Sequence, residues 1–138
     1  MNTKNKICIT KYDYTRLKSM VQEYTKTNKA DTNLKDLLGE IERAQKVDSY
    51  TIGSNYITMN SIFELKKMNE LDFQQFRLVF PEDADIDKDK ISVLAPIGTA
   101  VLGYKVGDVI KWKVPDGENF FQITNILYQP EANGDYDL

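Results

Sequence analysis

The stretch from residue 91 to residue 112, ISVLAPIGTAVLGYKVGDVIKW, constrains the fold more than any other part of the sequence. It begins with an apolar run typical of a short strand. Pro96 predicts the start of a helix, because its missing N–H costs nothing in a first turn. Gly103 predicts the end of that helix, and Gly107-Asp108 predicts a turn before another strand. The stretch therefore predicts a strand, a short helix and a second strand in close succession.

Two amphipathic patterns precede this stretch. Apolar residues at helical spacing run from Leu17 to Tyr24 and again from Leu34 to about Val47. The polar segment between them, residues 25–33, is rich in turn formers. Together they predict a short antiparallel helical hairpin, or coiled coil.

The predicted ends of these helices carry capping residues. Thr10 and Asp13 have the spacing of a capping box at the start of the first helix. Thr32 or Asn33 is expected to cap the second helix, with Asp36 favourably placed in its first turn.

The rest of the chain shows strand patterns within residues 56–80, 109–114 and 120–128. Four or five antiparallel strands with one short helix predict an α+β domain. The polar segment 48–55 is expected to separate a hairpin at residues 1–50 from a globular domain at residues 51–138, with few contacts between them.

Composition excludes several classes of site. The chain has no histidine and one cysteine, Cys8, so it holds no Ser-His or Cys-His pair, no internal disulfide and no histidine or thiolate zinc cage. The N-terminus lacks a signal-peptide core, no apolar run could span a membrane, and we expect a cytoplasmic protein. The net charge of −3 argues against a nucleic-acid duplex as the main partner and weakly favours a basic protein.

Two motifs resemble ligand-binding loops but lack residues that those loops require. Residues 98–105, GTAVLGYK, resemble a phosphate loop, but Tyr104 stands where the motif requires lysine. Asp83, Asp85 and Asp87 have the spacing that opens a calcium loop, but the required glycine and glutamate do not follow. We expect a capped helix and a solvated loop, and no cofactor or metal.

The pattern I-S-V-x-x-P-I-G-x-A-x-L-G-x-x-x-G-D-x-I of residues 91–110 resembles the C-terminal domain of the bacterial Gre transcript-cleavage factors. The ending YQPEANGDY of residues 128–136, with ERAQ at residues 42–45 and TMNS at residues 58–61, is similar to the Rnk branch of that superfamily, the regulators of nucleoside diphosphate kinase. The resemblance runs from about residue 34 to the end. It implies an FKBP-like C-terminal domain and makes the tail a feature of that branch.

The resemblance implies RNA polymerase as the partner. In Gre factors this part of the C-terminal domain contacts the rim of the polymerase secondary channel, which points to Pro96, Ile97 and Gly98 as polymerase-binding residues. Ala95 departs from the Gre serine and agrees with the Rnk pattern.

Gre factors also carry two carboxylates at the hairpin tip that hold a magnesium ion within the polymerase. The comparable residues here are Asp31, Asn33 and Asp36. An amide at Asn33 does not supply the charge that a metal needs, and helices of about 15 residues reach only some 20 to 25 Å. We therefore expect no metal at the tip, and we expect Asp31 and Asp36 to be capping or solvent residues more readily than contact residues.

The leading hypothesis is a transcription regulator, not an enzyme, that binds near the secondary channel and competes with Gre factors without stimulating cleavage. DNA is expected only nearby within the transcription complex, and no membrane or small-molecule substrate is expected. The alternative is direct contact with nucleoside diphosphate kinase. A third hypothesis is a prolyl isomerase on the FKBP-like fold, although fold alone does not confer function.

Overall fold

The computed structural model describes residues 6–27, 31–114 and 117–138. Within these ranges the chain is a mixed α+β structure, as predicted. Its helices are α1 (Lys11–Thr25), α2 (Thr32–Arg43) and α3 (Pro96–Val101). Its strands are β1 (Cys8–Thr10), β2 (Gln45–Val47), β3 (Ile62–Lys67), β4 (Phe73–Val79), β5 (Lys90–Ser92), β6 (Val109–Val114) and β7 (Gly117–Tyr128). Among the described residues, no helix is long and apolar enough to cross a bilayer.

The predicted helical hairpin is formed by α1 and α2. Leu17 and Val21 of α1 and Leu37 and Ile41 of α2 are buried in one core, as their i, i+4 spacing requires. Thr10 caps α1, because its side chain accepts a hydrogen bond from the backbone N–H of Asp13 at 2.9 Å. The apolar stripes of both helices are therefore the surface that holds the hairpin to the rest of the chain.

The second helix is shorter than predicted. The sequence predicts a helix to about Val47, but α2 ends at Arg43 and Ala44 is extended. The backbone N–H of Gln45 then donates to the carbonyl of Ile7 at 2.9 Å, and β2 pairs in parallel with β1. The prediction was wrong here because pairing with a strand some forty residues away overrides the local helical pattern.

The main sheet has five strands in the order β5-β4-β3-β7-β6. All neighbours are antiparallel except β4 and β5, which are parallel. The expectation of a wholly antiparallel sheet was therefore wrong at this pair. The connection from β4 to β5 makes two short 3₁₀ turns, Pro81–Asp83 and Ile86–Lys88, which carry the chain back to start β5 in the same direction. The sequence Pro115-Asp116-Gly117 also predicts a turn between the last two strands, but residues 115 and 116 lie outside the described residues.

The hairpin and the sheet share one hydrophobic core. The cluster runs without interruption from Ile9 and Leu17 to Phe63, Leu78 and Ile123. The link is also made by the backbone, because Cys8 N–H donates to the carbonyl of Gly103. The expectation of few contacts across residues 48–55 was wrong, although the division into domains at residues 50 and 51 stays a prediction.

The C-terminal tail is an ordered part of this assembly. It makes a 3₁₀ turn at Glu131–Asn133. The side-chain amide of Gln129 donates to the carbonyls of Gly53 and Tyr56 at 2.9 and 2.8 Å, and Arg16 of α1 donates to the carbonyl of Leu138. The tail thus fastens the segment between hairpin and sheet to the base of α1, which gives a physical role to a tail that the sequence left unexplained.

Candidate functional site

A cleft lies between α2 and α3 and is bounded by the start of β6. Its lining comes from one face of α2, from the exposed side of α3 and from a single residue of β6. These residues include Asn33, Asp36, Gly39, Glu40, Arg43, Pro96, Thr99 and Lys111. The cleft is open at Gly39, where a Cβ would meet no atom within 4 Å.

The start of α2 sets the position of the predicted tip residues. Asp31 is the N-cap, and its carboxylate accepts a hydrogen bond from the backbone N–H of Asn33 at 2.8 Å. The prediction that Thr32 or Asn33 would be the cap was wrong, because the helix begins one residue earlier. Asp36 accordingly lies beyond the first turn and is exposed on the face that borders the cleft.

The short helix α3 is fixed firmly against β5. A Cβ on Gly98 would lie 2.1 Å from the carbonyl oxygen of Ser92, so only glycine permits this approach. The hydroxyl of Thr99 donates to the carbonyl of Val93 at 2.6 Å. Among the residues predicted to bind polymerase, Ile97 and Gly98 are buried and Pro96 is exposed at the first turn of α3. Ile97 and Gly98 therefore position the helix, and Pro96 is the member that a partner can touch.

Charges of both signs surround the cleft. Asp36 and Glu40 contribute carboxylates, and Lys35 and Lys111 contribute amines. Arg43 forms an ion pair with Glu40 and donates to the hydroxyl of Tyr104 at 3.1 Å. Burial raises the pKa of Tyr104 above its usual range. The arrangement suits a polar partner surface with its own mixed charges.

The fold brings two separately predicted groups together. Asn33 and Asp36, near the start of α2, border the same cleft as Pro96 of α3. Asp31 does not line the cleft and serves as the N-cap of α2. Sequence analysis missed Gly39, Arg43 and Lys111. The first two lie at helical spacing from Asp36 and could have been found by projecting α2, but the position of Lys111 depends on the sheet.

A second polar cluster lies beneath the base of α1, and all its members except the partly exposed Arg16 are buried. Asp13 is inaccessible, and its carboxylate accepts hydrogen bonds from Arg16 at 2.6 Å and from the backbone N–H of Met59 at 3.1 Å. Burial raises its pKa to about 6, while the two hydrogen bonds oppose that shift. Glu131 lies nearby and accepts a hydrogen bond from Thr58 at 2.7 Å.

This second cluster is structural in its geometry, because the carboxylates of Asp13 and Glu131 accept hydrogen bonds from neighbouring elements of the chain. The sequence had assigned Asp13 to a capping box, in which its carboxylate would return to the backbone of Thr10. In the fold that carboxylate turns inward to Met59 instead. Among the residues that the structure describes, no group of three or more cysteine, aspartate or glutamate side chains could hold a metal ion.

Comparison with known proteins relates the sheet and α3 to a known family. Residues 52–128 match the family model described as "Transcription elongation factor, GreA/GreB, C-term". The chain is 35% identical over 103 residues to the "Regulator of nucleoside diphosphate kinase" of Escherichia coli K12, covering 74% of this chain and 76% of that protein.

Two further similarities extend this picture. The chain is 32% identical over 99 residues to the transcription elongation factor GreA of Prosthecochloris aestuarii, covering 70% of this chain and 62% of that protein, less than two thirds of its length. Among solved structures, a "Prokaryotic transcription elongation factor GreA/GreB from Nitrosomonas europaea" superposes with a TM-score of 0.76 at 33% identity. That match covers 89% of this chain and 100% of the other.

Proposed function

The chain belongs to the GreA/GreB family of transcription elongation factors, with similarity to the Rnk branch, and we propose that it regulates transcription by binding RNA polymerase. We place the contact at the rim of the secondary channel, where it would compete with Gre factors without stimulating transcript cleavage. Such a competitor acts by mass action and needs no catalytic residue. The site of action would be the cytoplasm, with DNA near but not the principal contact.

The observation that carries the proposal is the single cleft shared by Pro96 and by Asn33 and Asp36. A partner that touches the exposed start of α3 there also meets the start of α2. Because α3 is locked to β5 through Gly98 and Thr99, this surface is formed before binding and needs little ordering.

The residues at the hairpin tip support binding to the polymerase without stimulation of transcript cleavage. Asn33 offers an amide, and the carboxylate of Asp31 already caps α2. The hairpin is also short, since the 12 residues of α2 span about 18 Å. Asn33 borders the same cleft as Pro96, so the start of α2 lies beside α3 rather than extending far from it.

Charge reversal within the cleft tests the proposal. Fluorescently labelled wild-type protein and the Asp36→Lys variant would be titrated with purified core RNA polymerase. We expect Asp36→Lys to weaken binding about tenfold, because reversal of a charge in a partly desolvated contact costs on the order of 1.4 kcal/mol. Asp83→Lys is the matched control, since Asp83 is exposed in the connection from β4 to β5 and does not line the cleft. Equal loss in both variants, or in neither, would argue against the cleft.

A second candidate follows from the name of the Escherichia coli relative, which is direct regulation of nucleoside diphosphate kinase. This candidate predicts that a mixture of the two purified proteins sediments as a complex and that kinase turnover changes. Unchanged sedimentation and unchanged turnover would eliminate it.

A further inference from the structure

The main sheet has one face that packs on the core and one face that stays accessible. Alternation along the strands assigns Glu64 and Lys66 of β3 and Gln122 of β7 to the accessible face. Lys66 lies directly opposite Phe73 of β4 on one side and Gln122 on the other. We call this surface the open face, formed by Ile62, Glu64, Lys66, Phe73, Gln75, Arg77, Phe120 and Gln122.

Two phenylalanine rings are exposed on the open face. Phe73 is 55% exposed and Phe120 is 48% exposed, although a phenylalanine in a sheet of this size is ordinarily buried. The two residues lie two strands apart, on the order of 10 Å across the sheet. The chain thus presents two flat apolar rings to solvent with a lysine, Lys66, on the strand between them.

Positive charge continues along the same face. Arg77 follows Phe73 and Gln75 at period 2 and borders a groove. The other residues that line this groove are Ile62, Gln75, Phe76, Lys88, Asp89 and Lys90. Arg77 also stacks over the ring of Tyr128 at 5.5 Å. Glu64 is engaged by Thr124, whose hydroxyl donates to it at 3.0 Å. The open face and this groove thus carry four cations, Lys66, Arg77, Lys88 and Lys90, and two carboxylates, Glu64 and Asp89, with the exposed Asp72 next to Phe73.

The combination of exposed rings and cations fits a single-stranded nucleic acid better than a protein partner. The centres of protein–protein interfaces are depleted in lysine, but on the open face Lys66 is the direct cross-strand neighbour of an exposed ring. Surfaces that bind single strands combine aromatic rings, on which bases stack, with cations that follow the phosphates. The bases of a duplex are paired and stacked on one another, so neither ring could stack on them. The net charge likewise argues against a duplex as the main partner.

We propose that the open face binds single-stranded RNA, with bases stacked on Phe73 and Phe120 and phosphates near Lys66 and Arg77. Gln75 follows Phe73 at period 2 and is exposed, so its side-chain amide can hydrogen-bond base edges and the ribose 2′-hydroxyl. The side-chain amide of Gln122 donates to the carbonyl of Gly107 at 3.5 Å. The proposal does not depend on polymerase binding through the α2–α3 cleft, because no side chain assigned here to RNA contact lines that cleft. The two surfaces adjoin at Lys111, which borders the cleft and lies directly opposite Phe120.

The test is a fluorescence anisotropy titration of the full chain against a labelled oligouridine of about twelve nucleotides. At about 50 mM salt we expect a dissociation constant in the micromolar range, with log affinity falling against log salt at a slope of about −1.4, as for the two phosphate contacts of Lys66 and Arg77. The Phe73→Ala variant should weaken binding at least fivefold, and Phe73→Tyr should retain it, because either ring can stack. The Lys66→Gln variant should weaken binding and reduce the salt slope.

Leu71→Ala is the matched control, because Leu71 is 86% exposed in the turn before Phe73 and offers no ring. It should bind like the wild type, and unchanged thermal unfolding of each variant would show that the fold is intact. Absence of binding at low salt would overturn the proposal, as would equal binding by wild type and Phe73→Ala. An oligodeoxyuridine of the same length that bound as tightly would overturn the assignment to RNA.

Discussion

The carboxylate of Asp13 accepts a hydrogen bond at 3.1 Å from the backbone N–H of Met59, a residue 46 positions further along the chain. Asp13 belongs to the first turn of α1, and Met59 precedes β3. Arg16 completes the arrangement, since its guanidinium donates to Asp13 and stacks over the rings of Tyr12 and Phe80 at 4.0 and 4.8 Å. The base of the hairpin is thereby fixed to the entry of the sheet.

This buried carboxylate makes stability depend on pH. Its pKa is 3.8 ordinarily and about 6 in the fold, so the folded chain holds the proton more tightly than the unfolded chain. A group of this kind stabilises fully below its unfolded pKa and loses that contribution as pH rises through its folded pKa. The expected loss is on the order of 2 to 3 kcal/mol between about pH 4 and pH 6, with no further change above.

The Asp13→Asn variant isolates this effect, because the amide oxygen can still accept from Met59 and cannot ionise. Urea unfolding of both proteins from pH 4 to pH 7 should show the wild type losing stability relative to the variant as pH rises toward about 6. Other carboxylates titrate in both proteins and cancel in the difference. Parallel stability curves would show that Asp13 does not titrate in this range.

The tail contributes to stability through Gln129. Its side chain is 2% exposed and donates to the carbonyls of Gly53 and Tyr56. The Gln129→Ala variant should lose on the order of 2 kcal/mol of unfolding free energy, because two backbone carbonyls lose this donor. Gln22→Ala is the control, since Gln22 is exposed in α1 and should change stability by less than about 0.5 kcal/mol. Equal stability of the two variants would mean that the tail is not fastened as described.

Two glycines should respond to alanine with opposite signs. Gly98→Ala places a Cβ 2.1 Å from the carbonyl oxygen of Ser92 and should cost about 2 to 3 kcal/mol. In the Gly39→Ala variant the new Cβ meets no atom within 4 Å. Alanine at this position in α2 should raise the free energy of unfolding by about 0.5 to 1 kcal/mol. Thermal unfolding of both variants measures the difference, and a stable Gly98→Ala protein would contradict the close approach of α3 to β5.

Sequence patterns predicted most of the elements because those elements follow local rules. The apolar stripe of α1, the proline at the start of α3 and the positive φ of Gly103 are each set by residues within a few positions. The parallel pairing of β1 with β2 and of β5 with β4 was missed, because it joins residues that no local pattern relates.

The candidate site was predicted only in pieces, for the same reason. Pro96 was identified from a motif and Asp36 from its place near the tip, but their common cleft depends on how α2 packs against α3. The pattern alone could not show whether Ile97 is buried or contacts a partner, since an apolar residue in a short helix can do either. The inward direction of the Asp13 carboxylate could likewise not be predicted, because its partner Met59 lies in a distant segment.

The most direct test of the account is a competition on a backtracked transcription complex. Wild-type protein would be added in increasing excess over a Gre factor, while binding of the labelled Gre factor and cleavage of the transcript are followed together. We expect the Gre factor to be displaced and cleavage to fall in parallel, with no cleavage by this protein alone. Cleavage by the protein alone, or undiminished Gre-dependent cleavage at saturating excess, would contradict the account.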